Sequence, residues 1–308
     1  MTIIVITGDL TAGALSLGQA QLDFENAKNF IQRLTQPLTG GYVVYVTPGN
    51  HDYLISGGLA VTPPSERLIR QNLFRKYISG GNSEYPLVAE FSNGRLILLD
   101  SIEGQLHTIA GNSPEPELGK GRLGESQLCK LKEYLGKEEI QTERKTGKKI
   151  VVALHHSPFV SAEKIQVDSE PLLENEPDFP PWNRLGLHDA KDFLSIIDNK
   201  IDCLLYGHVT PLADHGQDHR PWLNPGPWLK PEEKRLVDNE EKVFADAEQY
   251  YGIPFINCEN LEETSMSYSV SVLDLGTYQR VVYQTDTSFP MQAIKPIEYS
   301  WGVPPEWA

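Results

Sequence analysis

The most constraining feature of this sequence is a series of short apolar runs separated by helical patterns. The runs are Ile3–Ile6, Tyr42–Val46, Leu96–Leu99, Ile150–Leu154 and Ile201–Tyr206. They are rich in Val, Ile and Leu, which is typical of strands buried on both faces of a sheet. Between them, apolar residues recur at helical spacing, as at Leu128, Leu131 and Leu135. An earlier helical pattern runs through Leu22, Ala27, Phe30, Ile31 and Leu34. This alternation predicts an α/β fold.

Four of these runs are followed at once by Asp, Asn or His residues. The segments are Thr7-Gly8-Asp9, Gly49-Asn50-His51-Asp52, His155-His156 and Gly207-His208. In open α/β sheets, ligands bind beyond the carboxyl ends of the strands, so we expect these side chains to meet at one edge. Carboxylate, amide and imidazole groups suit divalent ions such as Mn, Fe, Zn or Co. A bound cation acidifies water and screens phosphate charge, so the sequence predicts a metal-dependent hydrolase of phosphoesters.

The end of the chain has a different pattern. Tyr268, Val270 and Val272 alternate with serines, and a second apolar run at 281–283 follows a Gly-Thr turn, which predicts an antiparallel hairpin. We expect one domain over residues 1–287 and a C-terminal tail over 288–308. Loops are predicted for 103–121 and 161–187, and an exposed charged helix for 232–250.

Composition narrows the class of protein and its partners. The formal charge of −15 argues against nonspecific binding to nucleic acid or to an anionic membrane, because both need excess Lys and Arg. Cys129, Cys203 and Cys258 are an odd, widely spaced set that fits a reducing compartment better than a disulfide framework. The run Ile3–Ile6 is too short for a signal peptide or a membrane span. These features predict a cytoplasmic protein, and they do not indicate its oligomeric state.

The four segments resemble, in order, the motif set of the calcineurin-like metallophosphoesterases, over residues 8 to 210. Gly-Asn-His-Asp after a Val-rich strand is the most specific of them. The resemblance implies a two-sheet sandwich of mixed strands flanked by helices. It also implies hydrolysis of phosphate mono- or diesters by a metal-bound hydroxide, with a small phosphoester as the substrate.

The resemblance also implies a role for each matching position. His51 corresponds to the histidine that contacts the phosphate and protonates the leaving oxygen, and Asp52 would orient its ring. Asp9 corresponds to a carboxylate that bridges two metal ions. The remaining ligands of the second ion would be Asn50, His155 and His208. We expect His156 to be a neighbour of the site rather than a ligand, and His107 and His188 to be surface residues.

Two departures from the family pattern concern the first metal site. Family members have a strand bearing Asp-x-His some tens of residues before Gly-Asp, whereas Met1 lies only eight residues before Asp9. The final motif normally ends in a second histidine, but Thr210 stands there. We therefore expect a fold without the usual first strand, one metal site, and a weakened first site. His215 and His219 follow in a polar stretch, where loop histidines are the expected interpretation.

These departures leave two functional hypotheses open. One is an active phosphoesterase that uses one retained ion or a pair completed by ligands outside the family motifs. The other is a catalytically impaired scaffold that binds a metal, a phosphate ligand or a partner. A serine hydrolase is disfavoured because no Gly-x-Ser-x-Gly elbow precedes a helix.

Overall fold

The structure is a computed structural model of the chain. It describes residues 2–35, 42–55, 62–81, 84–106, 121–156, 158, 187–208, 255–257, 267–274, 279–286 and 297–300. The strands in these residues are β1 (Thr2–Ile6), β2 (Tyr42–Val46), β3 (Leu87–Phe91), β4 (Gly94–Leu98), β5 (Lys149–Ala153), β6 (Cys203–Tyr206), β7 (Phe255–Asn257), β8 (Ser267–Asp274), β9 (Gln279–Asp286) and β10 (Ile297–Ser300). The helices are α1 (Leu17–Thr35), α2 (Asn50–Tyr53), α3 (Pro64–Tyr77), α4 (Glu103–Leu106), α5 (Glu125–Gly136), α6 (Glu138–Lys145) and α7 (Ala190–Ile197).

The described strands form three sheets. β1 and β2 pair in parallel, with Ile3 opposite Val43. A five-stranded sheet has the order β3-β4-β5-β6-β7, and only its β3–β4 pair is antiparallel. β8, β9 and β10 form an antiparallel sheet with β9 in the middle. Parallel pairing places the carboxyl ends of β1 and β2 together, and likewise those of β4, β5 and β6.

The β1–β2 pair packs on one face of the five-stranded sheet. Ile3, Val5 and Tyr45 contact the buried cluster around Leu96 and Leu98. The next residues along β4 point the opposite way and pack beneath α5 and α7, because side chains alternate across a strand. Helices α1 and α3 cover the outer face of β1–β2. The result is the expected sandwich of two sheets flanked by helices, and it explains why the strands are apolar on both faces.

Helix α1 is confirmed, but only part of the predicted apolar set faces the core: Ala27 is buried and Ile31 packs against a buried cluster. Its buried residues are Ala20, Phe24 and Ala27, which lie on one side of the helix. Leu22 and Phe30, by contrast, are 48% and 47% exposed. Phe24 meets Phe74 of α3 edge to face, and this ring contact helps to fix the helix on the sheet. The apolar residues surround the helix, so their spacing alone did not identify the core side.

The predicted strands and the terminal hairpin are confirmed, since β8 pairs antiparallel with β9. Strands β3, β7 and β10 were not predicted; β10 lies within the stretch expected to be a tail, and the division at residue 287 stays a prediction. Segment 103–121, expected to be a loop, begins with the short helix α4. Most of 161–187, the helix expected over 232–250, and the lone histidines at 107, 215 and 219 lie outside the described residues. No helix in the described part is both long and apolar enough to cross a membrane.

Candidate metal centre

The turns after β1 and β2 lie against each other and require glycine at two positions. Gly8 has φ of 101° and Asp9 has φ of 54°, so the chain turns through the left-handed region directly after the strand. A Cβ on Gly49 would overlap the carboxylate and backbone of Asp9. A Cβ on Gly8 would overlap the ring of His155. The two glycines therefore allow Asp9, Asn50 and His155 to approach one another closely.

The ring of His155 is the centre of the site. The side chain is buried, and its Nδ1 lies 2.6 Å from the carbonyl oxygen of Thr7. A carbonyl only accepts, so Nδ1 must donate, and Nε2 is left as the lone-pair nitrogen of the neutral ring. Around Nε2 lie Asn50 Oδ1 at 2.9 Å, His208 Nδ1 at 3.0 Å and Asp9 Oδ2 at 3.2 Å. His155 Nε2, itself a potential metal ligand, is thus surrounded by three other potential ligand atoms.

The spacing of these atoms fits a single cation. Ligand atoms held at about 2.1 Å from one ion and at right angles lie about 3.0 Å apart. The distances of 2.9, 3.0 and 3.2 Å around His155 Nε2 match that value. A proton on Nε2 could serve only one of the three neighbours well, whereas a cation beside Nε2 could be shared among them. The set of one carboxylate, one amide oxygen and two imidazoles suits Mn, Fe, Zn or Co.

The electrostatics of the cluster favour bound positive charge. Burial alone would raise the pKa of Asp9, but His155 and, more weakly, His51 and His208 lower it to about 2. Burial pushes the pKa of His155 down, yet the attraction of Asp9 outweighs it and raises that pKa above its usual value. Burial and the neighbouring His155 lower the pKa of His208 to about 3. At neutral pH the site therefore presents a carboxylate and an unprotonated imidazole from His208.

His51 lies at the rim of this cluster, and Asp52 does not orient its ring as expected. The side chain of His51 is partly exposed, and its backbone N–H donates to Asp9 Oδ1 at 3.0 Å. The carboxylate of Asp52 instead accepts from the N–H of Gly49 at 2.9 Å and from the N–H of Thr11 at 3.0 Å. Asn50 to Tyr53 form a helical turn, in which adjacent side chains diverge. The Asp52 side chain thus links the loop that follows β1 to the loop that follows β2.

The end of β4 supplies buried polar residues that the sequence analysis missed. Asp100 accepts from the hydroxyl of Tyr53 in α2 at 3.1 Å and from the N–H groups of Ile102 and Glu103. Burial, followed by repulsion from Glu103, raises the pKa of Asp100 to about 7. Next to it, Ser101 Oγ lies 2.8 Å from Nδ1 of His156. A signal existed, because Asp100 and Ser101 follow an apolar strand in the same way as the four motif segments do.

His156 was expected only to neighbour the site, but its ring lies directly against the rings of His155 and His208. One ring nitrogen from each of His155, His156 and His208 lies within 4.8 Å of the others, and this trio could hold a metal ion. The predicted site residues Asp9, Asn50, His155 and His208 are brought together, with His51 beside them and Asp52 behind them. Thr210, where a further ligand was expected to be missing, lies outside the described residues.

Comparison with known protein families finds one match. The sequence model of a family described as calcineurin-like phosphoesterase matches residues 2–212, which is more than half of the 308-residue chain. No curated protein matches. The matched segment includes every residue that surrounds Nε2 of His155.

Proposed function

The chain belongs to the calcineurin-like phosphoesterase family, and on that premise we propose that it is a metal-dependent hydrolase of small phosphate mono- or diesters. The observation that carries this proposal is the convergence of Asp9, Asn50 and His208 on Nε2 of His155, within 3.2 Å. A family scaffold without such a cluster would support a binding role equally well. The cluster of potential metal ligands therefore favours a hydrolytic role over a purely binding role.

The residues present fit a divalent cation, which would be held by Asp9, Asn50, His155 and His208. When bound, such an ion lowers the pKa of a coordinated water and screens the charge of a phosphoryl group. The protein contributes a fixed arrangement of ligands. His155 is oriented by its bond to the carbonyl of Thr7, and Asp9 is oriented by the backbone N–H of His51.

His51 is the residue that we assign to proton transfer. It follows the ligand Asn50 in the same helical turn, and its side chain is partly exposed, whereas Asn50 and Asp52 are buried. A phosphoester entering from solvent would therefore meet the His51 imidazole beside the ligand cluster. The imidazole can contact the phosphate and give a proton to the leaving oxygen, a contribution of about 10² to 10⁴ in rate.

A hydrolysis assay with metal-depleted and metal-loaded protein tests this function. We expect turnover of an aryl phosphate monoester or diester only after Mn, Zn or Co is added. His51→Gln should lower kcat by about 10² or more while metal content stays unchanged, because His51 is not a ligand. His188→Gln changes an exposed histidine and should have no effect. Activity that persists in metal-free protein, or that is insensitive to His51→Gln, would contradict the proposal.

A catalytically impaired scaffold is the second candidate. Thr210 favours it, because the family resemblance implies a metal-binding histidine at that position. The two candidates differ in one measurable respect. The scaffold predicts stoichiometric metal binding without turnover of either ester class, whereas the enzyme predicts both binding and turnover.

A further inference from the structure

His156 has a buried nitrogen for which the described protein provides no partner. The side chain is 0% exposed, and its Nε2 makes no hydrogen bond to any residue that the structure describes. Buried polar atoms in folded proteins are almost always paired, so this nitrogen requires a ligand, an ion, a water or a residue outside the described part of the chain. The phosphoesterase reaction proposed above gives this nitrogen no role.

The ring of His156 is held in a fixed orientation. Its Nδ1 lies 2.8 Å from Ser101 Oγ, and the same oxygen accepts the backbone N–H of His156 at 3.3 Å. On the other side the ring packs against Gly121, where an added Cβ would overlap it. When Nδ1 carries the proton and donates it to Ser101 Oγ, Nε2 keeps the lone pair that a cation needs. Metal-binding histidines generally donate their second N–H to an outer acceptor, which fixes the orientation of the ring.

His156 also lies against the two histidines of the metal cluster. Its ring centroid is 4.2 Å from that of His208 and 4.9 Å from that of His155. The three residues each direct one ring nitrogen to within 4.8 Å of the others. Without a cation, three imidazoles packed this closely would place lone pairs or N–H groups against each other.

From this geometry we propose that His156 is a third imidazole ligand of the cation held by Asp9, Asn50, His155 and His208, binding through Nε2 while Ser101 supports Nδ1. The inference rests on the proposed function, because it needs that cation. It adds a nitrogen donor to the two that the family motifs supply. A site with three imidazoles favours Zn, Co, Ni or Fe over Mg or Ca, which prefer oxygen ligands.

X-ray absorption on the wild-type protein loaded with less than one equivalent of Co or Zn counts the imidazoles at the first ion. Three imidazoles per ion support the proposal, and two overturn it while leaving the proposed function intact. Protein that binds neither metal overturns both. This measurement needs no variant, so it does not depend on how a substitution at a buried position folds.

Variants separate ligation from ring support. His156→Asn places an amide near the position of Nδ1 and removes Nε2; it should lower Co affinity more than about 100-fold and change the visible spectrum of the Co-loaded protein. Ser101→Ala should lower Co affinity about 10-fold and leave the number of bound imidazoles unchanged. His188→Asn, at an exposed histidine, is the matched control and should change neither. Unaltered affinity and spectrum in a folded His156→Asn protein would show that Nε2 holds only water, which overturns the proposal.

Discussion

Two groups of buried polar residues meet at the carboxyl ends of the strands, and they differ in how their hydrogen bonds are satisfied. Around Asp52 and Asp100, protein donors supply the bonds: backbone N–H groups, Thr11 and the hydroxyl of Tyr53. Around His155, acceptor-rich side chains face one another instead. The first group forms a scaffold that is complete in the protein alone. The second is a centre that a cation would complete, so affinity for metal and stability of the fold should be separable.

The largest expected effect comes from removing the nitrogen at the centre. His155→Asn retains a side-chain amide that can donate to the carbonyl of Thr7, but it has no atom at the position of Nε2. We expect the affinity for Mn, Zn or Co to fall more than about 100-fold, which exceeds the usual effect of losing an outer partner. Competition with a chromogenic chelator measures this change. If the folded variant retained wild-type metal affinity, the cluster around His155 would not be a metal centre, and it would not differ in this respect from the residues around Asp52 and Asp100.

A smaller effect is expected where the scaffold allows the ligands to approach. Gly49→Ala adds a Cβ that overlaps Asp9, so the Asp9 loop must shift away from the other ligands. Metal affinity should fall about 10- to 100-fold. Gly18→Ala is the matched control, because a Cβ there meets nothing within 4 Å and lies in helix α1. It should leave metal affinity unchanged. Equal metal affinities for the two variants would count against the close approach.

The smallest effect concerns the pH dependence of stability in metal-free protein. The pKa of Asp100 is raised from 3.8 to about 7, so the folded state keeps a proton that the unfolded chain has lost. Stabilisation from this group is therefore full below pH 3.8 and is lost as the pH rises towards 7. Asp100→Asn should flatten the fall in unfolding free energy between pH 5 and pH 8 by on the order of 1 kcal/mol.

Urea unfolding at the two pH values measures that slope. Asp192→Asn, at an exposed position of α7, is the control and should leave it unchanged. An unchanged slope in Asp100→Asn would show that burial does not raise the pKa of Asp100. The buried carboxylates of the scaffold would then not differ from exposed ones in their titration.

The sequence predicted the centre better than its surroundings, for a physical reason. Strand ends are encoded locally, because an apolar run followed by Gly-Asp or Gly-Asn-His fixes both the strand and the turn. The role of Asp52 depended on a helical turn that the motif does not reveal, and this turn directs the carboxylate towards Thr11. The orientation of the His156 ring depends on Ser101, which is 55 residues away in sequence. Contacts of that range come from packing, as does the pairing of β10 with β9.

The central claim is that four side chains bind one cation around Nε2 of His155. Anomalous diffraction from crystals of the Mn- or Zn-loaded protein tests it most directly. The account predicts a single strong peak about 2.0 to 2.3 Å from Asp9 Oδ2, Asn50 Oδ1, His155 Nε2 and His208 Nδ1. A peak bound elsewhere, or none in protein soaked at saturating metal, would contradict it.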